Sequence, residues 1–330
     1  FIWALEDVEI DVVDSHFTAG NDQWLEGTHV GGYCIIRLLA KGGFGEVYLA
    51  GVDVLPGVHV AIKVFSKNKL DAGLRQTDLG REISLLQQMK HPHLPQIYDC
   101  IEDERFIYLC MEYIDGPTLT DYINARGPIA PWQESLNMFL PIFSVFSHLE
   151  SHRIAHRDVK GDNFIVRQRD SSIFLIDFGF AMEVPSDMGY GCSDFCGTPI
   201  YSAPEIAQSI PYNPFKSDAW SVGLILWSIV FACLPLQHED ELQTMTGPLE
   251  IPPCHDIIHF CLTSLLCIDP HVRLTVSELH AKLQIAHAAL LVHKDEASSP
   301  APVSPVSRQL SRCDVEMVES LGFPPSLVQE

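Results

Sequence analysis

Apolar positions recur in two different rhythms along this chain. From Tyr33 to Tyr113 they gather into short runs, at Cys34–Leu39, Glu46–Ala50, His59–Phe65 and Phe106–Met111, and such runs predict strands. One helix interrupts them from about Asp78 to Met89, where Leu79, Ile83, Leu86 and Met89 recur at helical spacing and His91-Pro92 stops the pattern. After Gly116-Pro117 the spacing lengthens, and helices are expected over about 118–125, 133–152, 217–233, 255–267 and 275–291. The expectation is an α+β chain, with a small, mostly antiparallel sheet and one helix first and a mainly helical part after it.

The stretch from Ala219 to Leu236 carries no charge over 18 positions, the length of a membrane span. Ser221, Gly223, Ser228 and Pro235 dilute it and no basic flank marks an end, so it reads as a helix buried inside a large domain, and no membrane partner is expected. Residues 1–31 show no sustained period and no Lys or Arg, and form an acidic arm closing on the turn signal Gly31-Gly32. That arm is acidic where a secretory leader would be basic, and Phe1 as first residue points to a processed or shortened start. A Pro/Ser-rich linker is expected over 293–312, and 313–330 regains an apolar period at Val315, Met317, Val318 and Leu321.

Composition narrows the function classes. With 47% apolar and 19% charged residues the chain can bury a sizeable core. Its formal charge of -22, from 43 acidic and 21 basic residues, repels polyanions, so nucleic acid is not an expected partner while basic peptides are favoured. The 10 cysteines include no C-x-x-C pair, which argues for reduced thiols in the cytoplasm or nucleus rather than a zinc ribbon. Cys192 and Cys196 read as ordinary thiols, with a redox pair as the alternative.

Moving the terminal phosphoryl of ATP requires a cradle for phosphates, a cation on them, oxygen ligands for magnesium or manganese, and a positioned acceptor hydroxyl. The run Ala40-Lys41-Gly42-Gly43-Phe44-Gly45 lies between two strand-like segments, where glycines let backbone N–H groups approach phosphate oxygens. Val60-Ala61-Ile62-Lys63 then places a lysine inside a strand, and Glu82 on the expected helix is its candidate partner. Further on, His156-Arg157-Asp158-Val159-Lys160-Gly161-Asp162-Asn163 supplies Asp158 to orient a hydroxyl and accept its proton, Lys160 to neutralise the transferring group and Asn163 for a metal. Asp177, in Asp177-Phe178-Gly179, is the second candidate metal ligand.

Together with Ala203-Pro204-Glu205, these motifs stand in the order and at the spacings of eukaryotic protein kinases, and the chain resembles that family over about residues 32–292. The resemblance implies a bilobal protein kinase fold, with an N-lobe over 32–111, a hinge over 112–116 and a C-lobe over 117–292. It implies ATP behind Met111, Glu112 and Ile114, with Met111 as gatekeeper and Val47 and Ala61 sandwiching the adenine. It also implies that Leu86, Ile97, His156 and Phe178 stack, that Glu205 pairs with Arg273, and that Asp218 supports the His156–Asp158 backbone. Lys160, together with Thr198 in Gly197-Thr198-Pro199, implies serine/threonine specificity, with Thr198 bridging Asp158 and Lys160.

Two departures from the family pattern are Ala40 for the first loop glycine and Gly161 for a common proline. A third bears on control. Many such kinases carry a phosphorylatable threonine where this chain has Asp194, so a permanent carboxylate facing Arg157 is expected to give partial constitutive activity, with Ser193 as an auxiliary phosphosite. Within the family the chain is most similar to the calcium/calmodulin-dependent group and to relatives of AMP-activated protein kinase. Residues 313–330 resemble the start of a ubiquitin-associated domain, which implies contact with the kinase domain, with an unrelated amphipathic tail as the alternative expectation. At two positions where basophilic relatives carry acids the chain has Thr118 and Ser228, and it keeps Asp162, so a strict arginine requirement is not expected. The competing expectation is a pseudokinase-type scaffold, disfavoured because Lys63, Asp158 and Asp177 are all present.

Overall fold

The computed structural model describes residues 25–42, 45–67, 89–129, 131–236 and 238–285. The expected helix over 78–88 with Glu82 and Leu86, the loop residues Gly43 and Phe44, most of the acidic arm, the linker and the 313–330 segment lie outside the described residues. The chain divides into two compact units, one taken from the chain up to Lys90 and from Pro95–Ile114, the other from His91–Leu94 and from Asp115 onward.

The first unit is a six-stranded antiparallel sheet of β1 (His29–Val30), β2 (Tyr33–Lys41), β3 (Glu46–Val52), β4 (Leu55–Ser66), β5 (Ile97–Glu102) and β6 (Phe106–Glu112), in the order β1-β2-β3-β4-β6-β5. Side chains on a strand alternate between faces. Along β4, Val60, Ile62 and Val64 join one core cluster with Ile35, Tyr48, Ala50, Tyr108 and Cys110. Ala61 and Phe65 join another with Leu109 and Met111. Period two therefore sets Lys63 on the Ala61–Phe65 face. β4 begins at Leu55, four residues before the expected start, because Val52 pairs directly with Leu55 across a tight hairpin.

The second unit is mainly helical. It contains α1 (Leu119–Arg126), α2 (Trp132–Ser151), α3 (Pro204–Ala207), α4 (Pro214–Phe231), α5 (Glu239–Thr244) and α6 (Asp256–Leu265), and a further helix starts at 276. Two small antiparallel pairs complete it, β7 (Ile154–Ala155) with β10 (Met182–Glu183) and β8 (Phe164–Val166) with β9 (Ile173–Leu175). Helix starts follow local chemistry. Thr118 Oγ1 accepts from the Asp121 N–H at 3.1 Å to cap α1. Asn213 Oδ1 accepts from the Phe215 N–H at 2.9 Å to cap α4, and Pro214 occupies its first position, which moves the start ahead of the expected 217. Most of α4 is buried, Trp220, Val222, Ile225 and Leu226 among them, so its uncharged run serves the core. Among the described residues no helix is long and apolar enough to cross a membrane.

Candidate active site

In the first unit the candidate residues ride on strand register. Val47 pairs with Lys63, Leu49 with Ala61, and Ala61 with Met111, so Val47, Ala61, Lys63 and Met111 share one patch of sheet. Lys63 is 8% exposed, with Nζ 5.1 Å from the centre of the Phe65 ring. Glu112 pairs with Val60, and Ile114 is buried at the end of the unit. The glycine-rich loop is a hairpin: Ala40 pairs with Val47, Lys41 with Glu46, and the Gly42 N–H donates to Gly45 O at 2.9 Å. A Cβ on Gly45 would stand 2.4 Å from Val64 O, so glycine is demanded there by the approach of β4. Ala40 is exposed on β2, and its methyl group replaces the first glycine without breaking the pairing.

In the second unit a polar network surrounds Asp158, which is 6% exposed. Thr198 Oγ1 donates to Asp158 Oδ1 at 2.7 Å, and Lys160 Nζ donates to Thr198 Oγ1 at 3.0 Å while lying 2.9 Å from Asp158 Oδ2. Asn163 Nδ2 donates to Asp158 O at 2.7 Å and to Oδ2 at 3.2 Å. The carboxylate is thus fixed by a hydroxyl, an ammonium and an amide. Gly197 has φ of +98°, and a Cβ there would stand 2.4 Å from Arg157 O, so the chain before Thr198 passes close against the backbone of Arg157 only as glycine.

A second layer fixes the backbone beneath it. Arg157 takes a left-handed φ of 63°, costly for a residue with a side chain, and Asp218 on α4 compensates. Its oxygens accept from the His156 N–H at 2.6 Å and the Arg157 N–H at 2.8 Å. Burial raises the Asp218 carboxyl to about 7 despite those two donors. His156 Nδ1 accepts from the Asp158 N–H at 3.3 Å, so its hydrogen is on Nε2, which donates to Asp177 O. Burial lowers the pKa of His156, which keeps the ring neutral, and Phe178 packs edge-on to it at 5.3 Å. Glu205 and Arg273 form a fully enclosed bidentate pair at 2.7 and 2.9 Å.

The activation segment is tied at several points. Arg157 Nη1 donates to Asp194 Oδ2 at 2.8 Å, and Arg157 Nε donates to Phe180 O at 2.8 Å. Ser193 is exposed beside Asp194. Sequence reasoning missed Tyr212. Its hydroxyl donates to Asp194 O at 2.8 Å, its backbone exchanges two hydrogen bonds with Cys192, and its ring stacks on Phe195 at 5.9 Å. No spacing rule links Tyr212 to Asp194. Cys192 is buried, and burial pushes the Cys196 thiol up to about 11, which leaves little thiolate for oxidation.

The donor set suits a hard divalent cation. Asn163 commits its amide nitrogen to Asp158, which leaves its oxygen to ligate, and Asp177 adds a carboxylate. Among the described residues no group of three or more His, Cys, Asp or Glu could hold a metal by itself, and so sparse an oxygen set fits an ion that shares substrate phosphates. The family model described as "Protein kinase domain" matches residues 33–283. The chain therefore belongs to the protein kinase family, bilobal α+β enzymes that transfer a phosphoryl group from ATP to proteins with a divalent metal.

Proposed function

We propose that this kinase phosphorylates serine and threonine hydroxyls, uses magnesium, and is partly active without activation-segment phosphorylation. The observation that carries the specificity is the triangle of Asp158, Lys160 and Thr198, in which an aliphatic hydroxyl already sits at 2.7 Å from the catalytic carboxylate. A substrate serine or threonine presented there gives its proton to Asp158 as its oxygen bonds to the γ-phosphorus, and the bond from that phosphorus to the bridging oxygen breaks to release ADP. Lys160 balances charge on the group in transit. Lys63, with Glu82 as partner, would orient the α- and β-phosphates, the hairpin from Ala40 to Gly45 would cover them, and Asn163 and Asp177 would hold the magnesium, which would supply positive charge against the transferring phosphoryl group. Constitutive activity is supported by Asp194 on Arg157 and by the Tyr212 contacts, which tie the segment through a permanent carboxylate and a hydroxyl. The acidic net charge favours basic peptides as substrates.

The test is radiolabel transfer from ATP by phosphatase-treated full-length chain to an array of peptides differing only in the acceptor. Label is expected on serine and threonine and not on tyrosine, and Asp158→Asn should lower it about 100- to 10,000-fold. Tyrosine labelling would overturn the specificity, and nucleotide binding with no transfer would favour the scaffold reading. An inert phosphatase-treated enzyme that revives after Ser193 modification would overturn the constitutive part.

A further inference from the structure

Residues His91–Leu94 lie in sequence between two segments of the sheet unit yet belong to the helical unit. Polar contacts hold this short strap there. His91 Nε2 meets Ser144 Oγ of α2 at 3.0 Å, His93 Nδ1 meets Ile173 O at 2.9 Å, and the Leu175 N–H donates to His93 O at 3.1 Å. Inside the strap the His93 N–H donates to His91 Nδ1 at 3.2 Å. A ring nitrogen that accepts carries no proton. His91 is therefore neutral, with its hydrogen on Nε2 donating to Ser144.

The His91 ring also belongs to a row of imidazoles. Its centre is 5.7 Å from His93 and 5.2 Å from His148, and His148 is 4.4 Å from His152. Nε2 of His148 is buried with no hydrogen-bond partner among the described residues. Among the described residues, the titratable and charged groups facing the row are these four rings together with Arg167 and Asp170 beside His93. Asp170 accepts two hydrogen bonds from the Arg167 guanidinium, at 3.0 and 2.8 Å, so the one carboxylate near the row is already committed. A proton on His91 Nδ1 would turn an accepted bond into two opposed N–H groups. A proton on His148 would face the His91 and His152 rings with no anion beside it among the described residues.

We infer that residues 91–94 form an acid-sensitive latch, closed while His91 and His148 are neutral and released from α2 and the β8–β9 hairpin when they take up protons. Burial, then His148 and His93, lower His91 from its usual 6.5 to about 4, and burial and His152 lower His148. A depressed folded-state value means that the stabilisation is complete above about 6.5 and is lost progressively as the pH falls toward about 4. The strand held through Leu175 runs directly into Asp177, so opening would slacken a metal-ligating carboxylate. That consequence rests on the kinase reading; the latch does not.

Hydrogen exchange of the full chain, corrected for intrinsic rates, tests it at peptides covering 91–94 and 173–175. From about pH 7.5 to about 5.5, protection should fall about tenfold in the wild type, the change one histidine released from about 4 to 6.5 produces. His91→Asn keeps an acceptor near the Nδ1 position without titrating, and its protection should fall by clearly less than the wild type's, His148 alone still taking up a proton. Should that variant fail to fold, His148→Phe should show a smaller fall than the wild type. Unchanged wild-type protection, or an equal fall in the variants, would overturn the latch. Because no catalysis is read, an inactive enzyme leaves this result standing, and a failed latch leaves phosphoryl transfer untouched.

Discussion

The two units hold their functional side chains by different means. In the sheet unit Lys63 is the one buried charged residue among those described, and Val47, Ala61 and Met111 reach its face by backbone pairing and alternation alone. In the helical unit the same task is done by side chains: His156, Asp158, Asn163, Glu205, Asp218 and Arg273 are all buried and bonded to one another or to backbone. A sheet positions a residue through many interchangeable bonds. A buried polar network does so through a few that have no substitute, since each lost partner leaves a desolvated group behind.

Three substitutions probe that contrast. Arg273→Ala would strand Glu205 without its guanidinium and free the carbonyls of Lys216 and Cys267, and a loss of about 3–5 kcal/mol is expected by denaturant unfolding. A loss under about 1 kcal/mol would show the helical unit to be as tolerant as the sheet. Gly45→Ala forces a methyl group toward Val64 O, and about 1–3 kcal/mol should appear as a lower melting temperature and weaker nucleotide binding. If both are unchanged, the hairpin yields more freely than its register suggests. Asp194→Asn removes a carboxylate that is 73% exposed, so its ion pair with Arg157 contributes about 0.2–1 kcal/mol and activity should fall no more than about fivefold. A complete loss would mean that Asp194 alone orders the segment and that Tyr212 adds nothing.

The candidate site could be named from the sequence because phosphoryl transfer demands particular groups: a lysine inside an apolar strand, Asp158 and Asn163 five residues apart, and Asp177 two residues before Gly179. The strands β2, β3, β4 and β6 were legible for the same kind of reason, being runs long enough to show a period. The pairs β7–β10 and β8–β9 were not, since strands of two or three residues are too short to show one. Pairing of Glu205 with Arg273 and of Asp218 with the His156 backbone came from family resemblance, and no local pattern in this chain indicates either. Tyr212 on Asp194 and the histidine row came from neither source.

The sequence by itself determined the chemical inventory and its order, because residue type sets what a side chain can donate, accept or ligate. Tertiary structure decided which of those groups meet. Asp218 stands about sixty residues from the backbone it holds, and His148 lies on a helix more than fifty residues from His91. Contacts across such distances are set by how helices and strands pack, which no window of sequence contains.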